Sequence, residues 1–395
     1  MEMTDKTTSK PIVPAERVQQ VKEYYFSRKL REISEMTAAG ADIISLGIGG
    51  PDRMPAPEVI DTLAQESAKE GNHSYQSYVG LPQLRSAFAR WYDDTYHVKL
   101  NPDNEILPLI GSKEGILHIS MAFLNPGDGV LVPDPGYPTY TSVSRLVGAE
   151  IYKYSLTSEN GWYPDFEQIE KLPLEKIKLM WVNYPHMPTG TPAKRRVFEQ
   201  LVEFGKKHGI VIAHDNPYSF ILNDRPMSLL QIPGAIDIAL ELNSLSKSHN
   251  MAGWRIGMVA SNPTFISWVI KVKSNIDSGQ FKPMMLAAAK ALEADKEWYT
   301  RLNEVYAERR KIAEEIMTAL GCSFDPGQSG LFLWGRIPED APGSEAFADN
   351  ILYQRHVFLT PGFIFGVNGN RYIRISLCAP AHRMRQALER ITQPE

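Results

Sequence analysis

Apolar positions recur every three or four residues over 15–40, where Val18, Val21, Tyr25, Leu30, Ile33 and Met36 fall along one side before Gly40, which predicts a single helix. The short run DIISLGIGGPD then reads as a strand entering a glycine-rich loop, and helical spacing returns over 55–68. Residues 81–91 read as a helix, ILPLI as a short buried strand, and GSKEGILHISMAFL as a glycine-led turn running into a helix. Further apolar runs follow in VLVPDP, AEIYKYSL, IKLMWVNYP, IVIAHDNP and IALELNSLSK, with an amphipathic helix over 197–207 between two of them.

Strands interleaved with amphipathic helices predict a mainly parallel sheet covered on both faces, an α/β protein of three-layer α/β/α type. After about residue 285 the pattern changes to one long helical stretch over 284–320, strands over 331–337, VFLTPG and YIRISL, and a closing helix. This predicts a smaller α+β domain. The expected division is 1–55 as an N-terminal arm with part of the small domain, 56–285 as the large domain and 286–395 as the C-terminal small domain.

Composition narrows the function. The 395 residues are 43% hydrophobic and 22% charged, an ordinary globular balance, and the net charge of −4 lacks the basic footprint of a nucleic-acid or membrane-surface binder. Two cysteines, Cys322 and Cys378, are too few for a disulfide framework or a zinc site, and both read as buried apolar residues, so no metal is expected. No apolar leader or membrane-length run appears, and the expectation is a cytoplasmic protein acting on small molecules.

Four clusters carry candidate chemistry. In SLSKSHNMAGWRIG a serine-bounded turn after a strand presents Lys247, with Arg255 eight residues on. A loop lysine taken alone is a solvated charge; here the apolar strand before it and the Gly-Trp-Arg-x-Gly after it bury the turn. A lysine that attacks an aldehyde must be neutral, which requires desolvation or neighbouring cations. Arg255 would help, and its fork of donors would grip a phosphate beside Ser244 and Ser246. In AHDNPYSFI, Asp215 ends an apolar strand, where sheet proteins bind ligands. A carboxylate there would keep a heteroaromatic nitrogen protonated, with the Tyr218 hydroxyl aimed at the ring's phenolate oxygen; the competing reading makes Asp215 a turn or helix cap. The Gly111 turn opens a helix whose free N–H groups favour a phosphate at Ser112 and Lys113. In PDPGYPTY, Tyr137 is either a core residue or a ring laid flat on a planar cofactor.

From about Arg17 to Ile391, these motifs in this order resemble the class I/II aminotransferases of pyridoxal-phosphate fold type I, closest to the aspartate and LL-diaminopimelate branch. The resemblance implies pyridoxal 5'-phosphate held by Lys247 as a Schiff base, Asp215 on the pyridine nitrogen, Tyr218 on the phenolate oxygen and Tyr137 stacked on the ring. It further implies phosphate contacts from Ser112, Lys113, Ser244 and Arg255. Arg374 in RYIRISL would take the substrate α-carboxylate, helped by the backbone at Gly49. Tyr75 in YQSYVGLPQLR would reach the phosphate of a neighbouring subunit, implying a homodimer with shared sites. The expected substrates are an aspartate-like or diaminopimelate-like L-amino acid with glutamate and 2-oxoglutarate as the exchange pair.

One position departs from the pattern. The family carries Asn-Pro-Thr-Gly, whereas this chain reads NYPHMPTG, with Met187 in place of the asparagine. A thioether donates no hydrogen bond, so the loss should raise the pKa of the Schiff base and weaken carboxylate binding unless Asn183 or His186 compensates. Two other readings use the same residues: a carbon–sulfur lyase or cyclopropane-forming synthase, and a non-catalytic cofactor-binding regulator. The missing basic N-terminal extension speaks against the regulator.

Overall fold

The computed structural model describes residues 12–19, 23 and 25–393. The chain enters through β1 (Ile44–Ser45) and then builds a seven-stranded sheet from β2 (Ile106–Leu109), β3 (Gly129–Asp134), β4 (Glu150–Ser155), β5 (Ile177–Val182), β6 (Val211–Asp215), β7 (Ala239–Ser244) and β8 (Gly257–Ala260). The strand order is β2-β8-β7-β6-β5-β3-β4, and every pairing is parallel except the two made by β8. A four-stranded antiparallel sheet follows, with β9 (Ser323–Phe324), β10 (Phe332–Arg336), β12 (Thr360–Pro361) and β13 (Tyr372–Ser376), while β11 (Val357–Phe358) pairs with β1.

Period-two alternation divides the large sheet between two cores. In β5, Leu179 and Trp181 join the cluster containing Val130, Val132 and Ala213, while Met180 and Val182 join the one containing Leu131 and Ile212. Burial on both faces explains why these strands read as continuous apolar runs. The flanking helix Arg195–His208 buries Val197, Phe198, Leu201, Val202 and Phe204 and stops at Gly209, whose φ of 65° is the left-handed conformation a helix end favours. A third core lies beneath the small sheet, where Tyr306, Ile312 and Ile316 pack with Leu333, Ile373 and Ile375.

Two helix expectations are corrected. The stretch expected to be one helix over 15–40 comprises the helices Glu16–Gln19 and Tyr25–Ala38, and Val21 lies outside the described residues. The stretch over 284–320 is two helices, Lys282–Ala291 and Lys296–Ala319. Asp295 starts the second by accepting from the Trp298 N–H at 2.8 Å, and a side-chain cap of this kind competes with continuing the first helix.

Candidate active site

The parallel sheet sends its carboxyl ends to one edge, and the site is assembled there. Asp215 ends β6, Ser244 ends β7, Asn183 follows β5, Tyr137 follows β3, and Gly111 to Lys113 follow β2. Because β8 runs the other way, Arg255, two residues before it, reaches the same edge. Ser244 accepts from the Ser246 N–H at 3.1 Å and so opens the single turn Leu245–Ser248 that carries Lys247. From the small sheet β13 contributes Arg374 and β10 contributes Phe332, while Gly49 comes from the loop after β1.

These residues enclose a cavity of about 380 Å³ with two chemically distinct ends. At one end stand Ser112, Lys113, Ser244, Ser246 and Arg255, a set of hydroxyls, cations and helix-start N–H groups suited to a phosphate. Arg255 donates to the Ala252 carbonyl at 2.8 Å and to Ser246 Oγ at 3.4 Å. It packs so close that a Cβ on Gly111, itself at φ +78°, would lie 2.1 Å from Arg255 Nη2. At the other end Arg374 donates to the Gly47 carbonyl at 2.9 Å and is stacked on the Phe332 ring at 3.9 Å.

Between the two ends, Asp215 accepts from the Tyr140 hydroxyl at 2.9 Å through Oδ2, while Oδ1 is buried with no hydrogen-bond partner. A buried acceptor left over in a cavity with a phosphate-suited corner fits a planar, phosphorylated ring that brings an N–H. Burial pushes the Asp215 carboxyl up to about 6, against the Tyr140 hydrogen bond and the charges of His214 and Lys247. Lys247 donates from Nζ to the Gly49 carbonyl at 2.5 Å. Burial lowers its pKa, with Arg374 and Arg255 adding in the same direction, so the neutral amine is favoured beyond its usual range. Burial also raises the hydroxyl pKa values of Tyr137 and Tyr218, which hold their protons as donors.

Of the residues singled out by sequence, Gly49, Ser112, Lys113, Tyr137, Asn183, Met187, Asp215, Tyr218, Ser244, Ser246, Lys247, Arg255 and Arg374 all line this one cavity. Tyr75 and Gly111 do not: Tyr75 is 90% exposed, and Gly111 stands behind Arg255. His186 does not reach the cavity either, and its Nδ1 is engaged with Thr189 Oγ1 at 2.8 Å. Asn183 is committed to the backbone, donating to the Asp215 carbonyl at 2.6 Å and accepting from the Met187 N–H at 2.7 Å. Neither side chain therefore stands in for the asparagine that Met187 replaces. The Met187 sulfur instead accepts from Arg374 Nη1 at 3.2 Å.

Sequence reasoning missed Tyr140, and the signal was present in part: it follows Tyr137 by three positions on the helix Pro138–Leu146. It also missed Phe26, Ile48, Phe332 and Phe365, apolar residues whose place in the wall is set by packing alone.

A doubly covered parallel sheet, with a buried lysine, a carboxylate and two guanidinium groups at its carboxyl edge, belongs to the class of cofactor-dependent α/β enzymes. Comparison with known proteins narrows this. Residues 41–391 match the model of the family described as aminotransferase class I and II, and the chain belongs to that family. It is a pyridoxal-phosphate-dependent aminotransferase, acting on amino acids and 2-oxo acids. The LL-diaminopimelate aminotransferase of Oleidesulfovibrio alaskensis is 40% identical over 381 residues, covering 95% of this chain and 98% of its own. That of Aquifex aeolicus is 40% identical over 380 residues, covering 95% and 98%. Among solved structures, substrate-bound BacF from Bacillus subtilis superposes with a TM-score of 0.93 at 34% identity, covering 97% of this chain and 98% of that one. A mutant aspartate aminotransferase of Thermus thermophilus gives 0.90 at 25% identity, covering 97% and 99%. Among the described residues no helix is long and apolar enough to cross a membrane.

Proposed function

We propose that Lys247 binds the cofactor and carries the proton of the transfer, that Asp215 and Tyr218 hold the ring, and that Arg374 takes the substrate α-carboxylate. The observation that carries this reading is the partnerless Asp215 Oδ1, buried in the same cavity as Lys247 and between its two guanidinium ends. Pyridoxal phosphate supplies a protonated ring able to accept the electron pair left when an α-proton departs. Asp215 keeps the ring nitrogen protonated, and Tyr140 fixes the carboxylate's direction. Tyr137 covers one face of the ring. With its place taken by the substrate amine, Lys247 would stand as a neutral base near the α-carbon, able to take its proton and deliver it two atoms further on, across the nitrogen. Arg374 fixes the substrate by its carboxylate, so the α-proton is presented to Lys247 and water is kept out by Phe26, Phe332 and Phe365.

For the amino donor, the names of the curated relatives support a diaminopimelate-like amino acid, with 2-oxoglutarate as acceptor. A second reading, a donor with an uncharged side chain, is favoured by the wall near Arg374, where Phe26, Ile48, Phe332, Phe365 and Met187 are apolar. We further read the protein as a cytoplasmic homodimer, with its cofactor domain over 56–285. The test is a half-reaction screen: LL-diaminopimelate, aspartate, glutamate and phenylalanine are added singly to the yellow protein, and loss of its visible absorbance is followed. Glutamate, the amino partner of 2-oxoglutarate, should convert the spectrum as a control; the donor is the other amino acid that does so and passes nitrogen to 2-oxoglutarate, whereas a lyase would release its product without any acceptor. Lys247→Ala is expected to lose on the order of 10⁴-fold in turnover, because nucleophile and proton carrier disappear together. Turnover near the wild-type rate in that variant would refute the mechanism.

A further inference from the structure

The loop after β1 offers three consecutive carbonyls to the site. Gly47 O accepts from Arg374 Nη2 at 2.9 Å, Ile48 O from Ser376 Oγ at 2.7 Å, and Gly49 O from Lys247 Nζ at 2.5 Å. Only glycine allows the approach: a Cβ at Gly47 would lie 2.3 Å from Phe358, and one at Gly49 2.3 Å from Phe332. Two glycines that bring the backbone this close also leave it conformationally loose, so the carbonyls need an external hold.

At the near end Thr360 Oγ1 donates to Gly47 O at 2.8 Å and Ser376 holds Ile48 O; at the far end the hold comes from the helix Lys296–Ala319. Arg309, 5% exposed, grips Asp52 at the far end of the loop through both guanidinium nitrogens, at 2.7 and 2.8 Å. The same guanidinium donates to the Leu377 carbonyl at 3.1 Å, immediately beyond the end of β13. A single rigid fork therefore spans the loop that receives Lys247 and the strand that carries Arg374. Neither Asp52 nor Arg309 lines the catalytic cavity. We propose that Asp52 and Arg309 are positioning residues for the reaction: their ion pair sets where Gly47 O and Gly49 O stand, and through them the spacing between Arg374 and Lys247. A bidentate pair suits this role because it fixes direction as well as distance.

The proposal rests on the roles assigned above to Lys247 and Arg374. Arg309→Met removes the buried charge and leaves Asp52, whose side chain is 25% exposed, to water, so it is expected to fold; Asp52→Asn and Arg309→Lys are made alongside it. Misplacing the carboxylate fork without removing it should raise KM for the amino donor about tenfold and lower kcat less. Propionate binding to the cofactor-free protein, followed by ligand NMR, should weaken by the same factor, and the double variant Asp52→Asn/Arg309→Met should be no worse than the poorer single. Arg309→Lys, which keeps charge without the fork, should recover only part of the loss. Folded variants with KM and propionate affinity within twofold of wild type would overturn the proposal, as would a lowered Tm with both unchanged. If the wild type transaminated no donor, the catalytic roles would fall instead, while the propionate measurement would still decide whether the pair positions Arg374.

Discussion

Asp215 is a buried acid, and in the role proposed for it a bound ring nitrogen would need its negative charge. Its carboxyl is raised from 3.8 to about 6 by burial, so the ionised fraction grows as pH rises through about 6 and is lost below it. Over the window from about 4 to 6 the folded, cofactor-free protein binds more protons here than the unfolded chain, and this group's contribution to stability falls as pH rises. Cofactor affinity should move oppositely, weakening about tenfold for each pH unit below about 6. The cofactor's phosphate titrates nearby, at about 6, so the check is a comparison of dissociation constants for wild type and Asp215→Asn from pH 5 to 8. The variant should bind more weakly at pH 8 and show a shallower dependence. Met187 makes the second residue-scale prediction. Its sulfur takes a donor of Arg374 but gives nothing to a carboxylate, so Met187→Asn should supply one further hydrogen bond and lower KM about three- to tenfold at similar kcat. Steady-state kinetics with the donor found by the screen decide this.

Among the elements, the turn from β2 into the helix Ser112–Phe123 concentrates the most constraint. Gly111 holds a φ of +78° and faces Arg255 where a Cβ would collide with its guanidinium. Gly111→Ala therefore meets a backbone cost of about 1–3 kcal/mol, because φ +78° with ψ 158° is open almost only to glycine, and it would move the guanidinium proposed to grip the phosphate. The expected result is a cofactor dissociation constant raised about tenfold or more, measured by fluorescence titration, with circular dichroism showing the fold retained. The glycine follows β2 and the arginine precedes β8, so the collision is invisible to any local reading of GSKEG.

For the molecule as a whole, one group of exposed apolar side chains among the described residues bears on assembly. The segment bearing Tyr75, Tyr78 and Val79 adjoins Ile276 and Phe281: Lys273 donates to the Tyr78 carbonyl at 3.1 Å, and the His73 and Phe281 rings lie 5.6 Å apart. Exposed apolar side chains gathered in this way are what the proposed homodimer would bury. Sedimentation equilibrium should give twice the chain mass of 44.4 kDa. If Tyr75 serves the partner's phosphate, Lys247→Ala and Tyr75→Phe co-expressed should form hybrids with one intact site, recovering about a quarter of wild-type activity, whereas mixtures of either variant with itself should not.

The fold class, the strands of the large sheet and nearly every polar residue of the cavity are legible in the sequence because their signals are contiguous. Period-two burial, a serine cap beside Lys247 and an aspartate at a strand end are all decided within a few residues. What the tertiary structure alone decides are meetings between distant segments: Tyr140 with Asp215, 75 positions apart, Arg374 with Met187, 187 apart, and Arg309 with Asp52, 257 apart. Each is a short-range contact, a hydrogen bond or an ion pair, that exists only once strand order in the large sheet, for the first, or the packing of the two sheets, for the other two, has brought the segments together. The break between the helices Lys282–Ala291 and Lys296–Ala319 lies between the two cases, since Asp295 signals it locally while the choice to stop there depends on what both helices pack against.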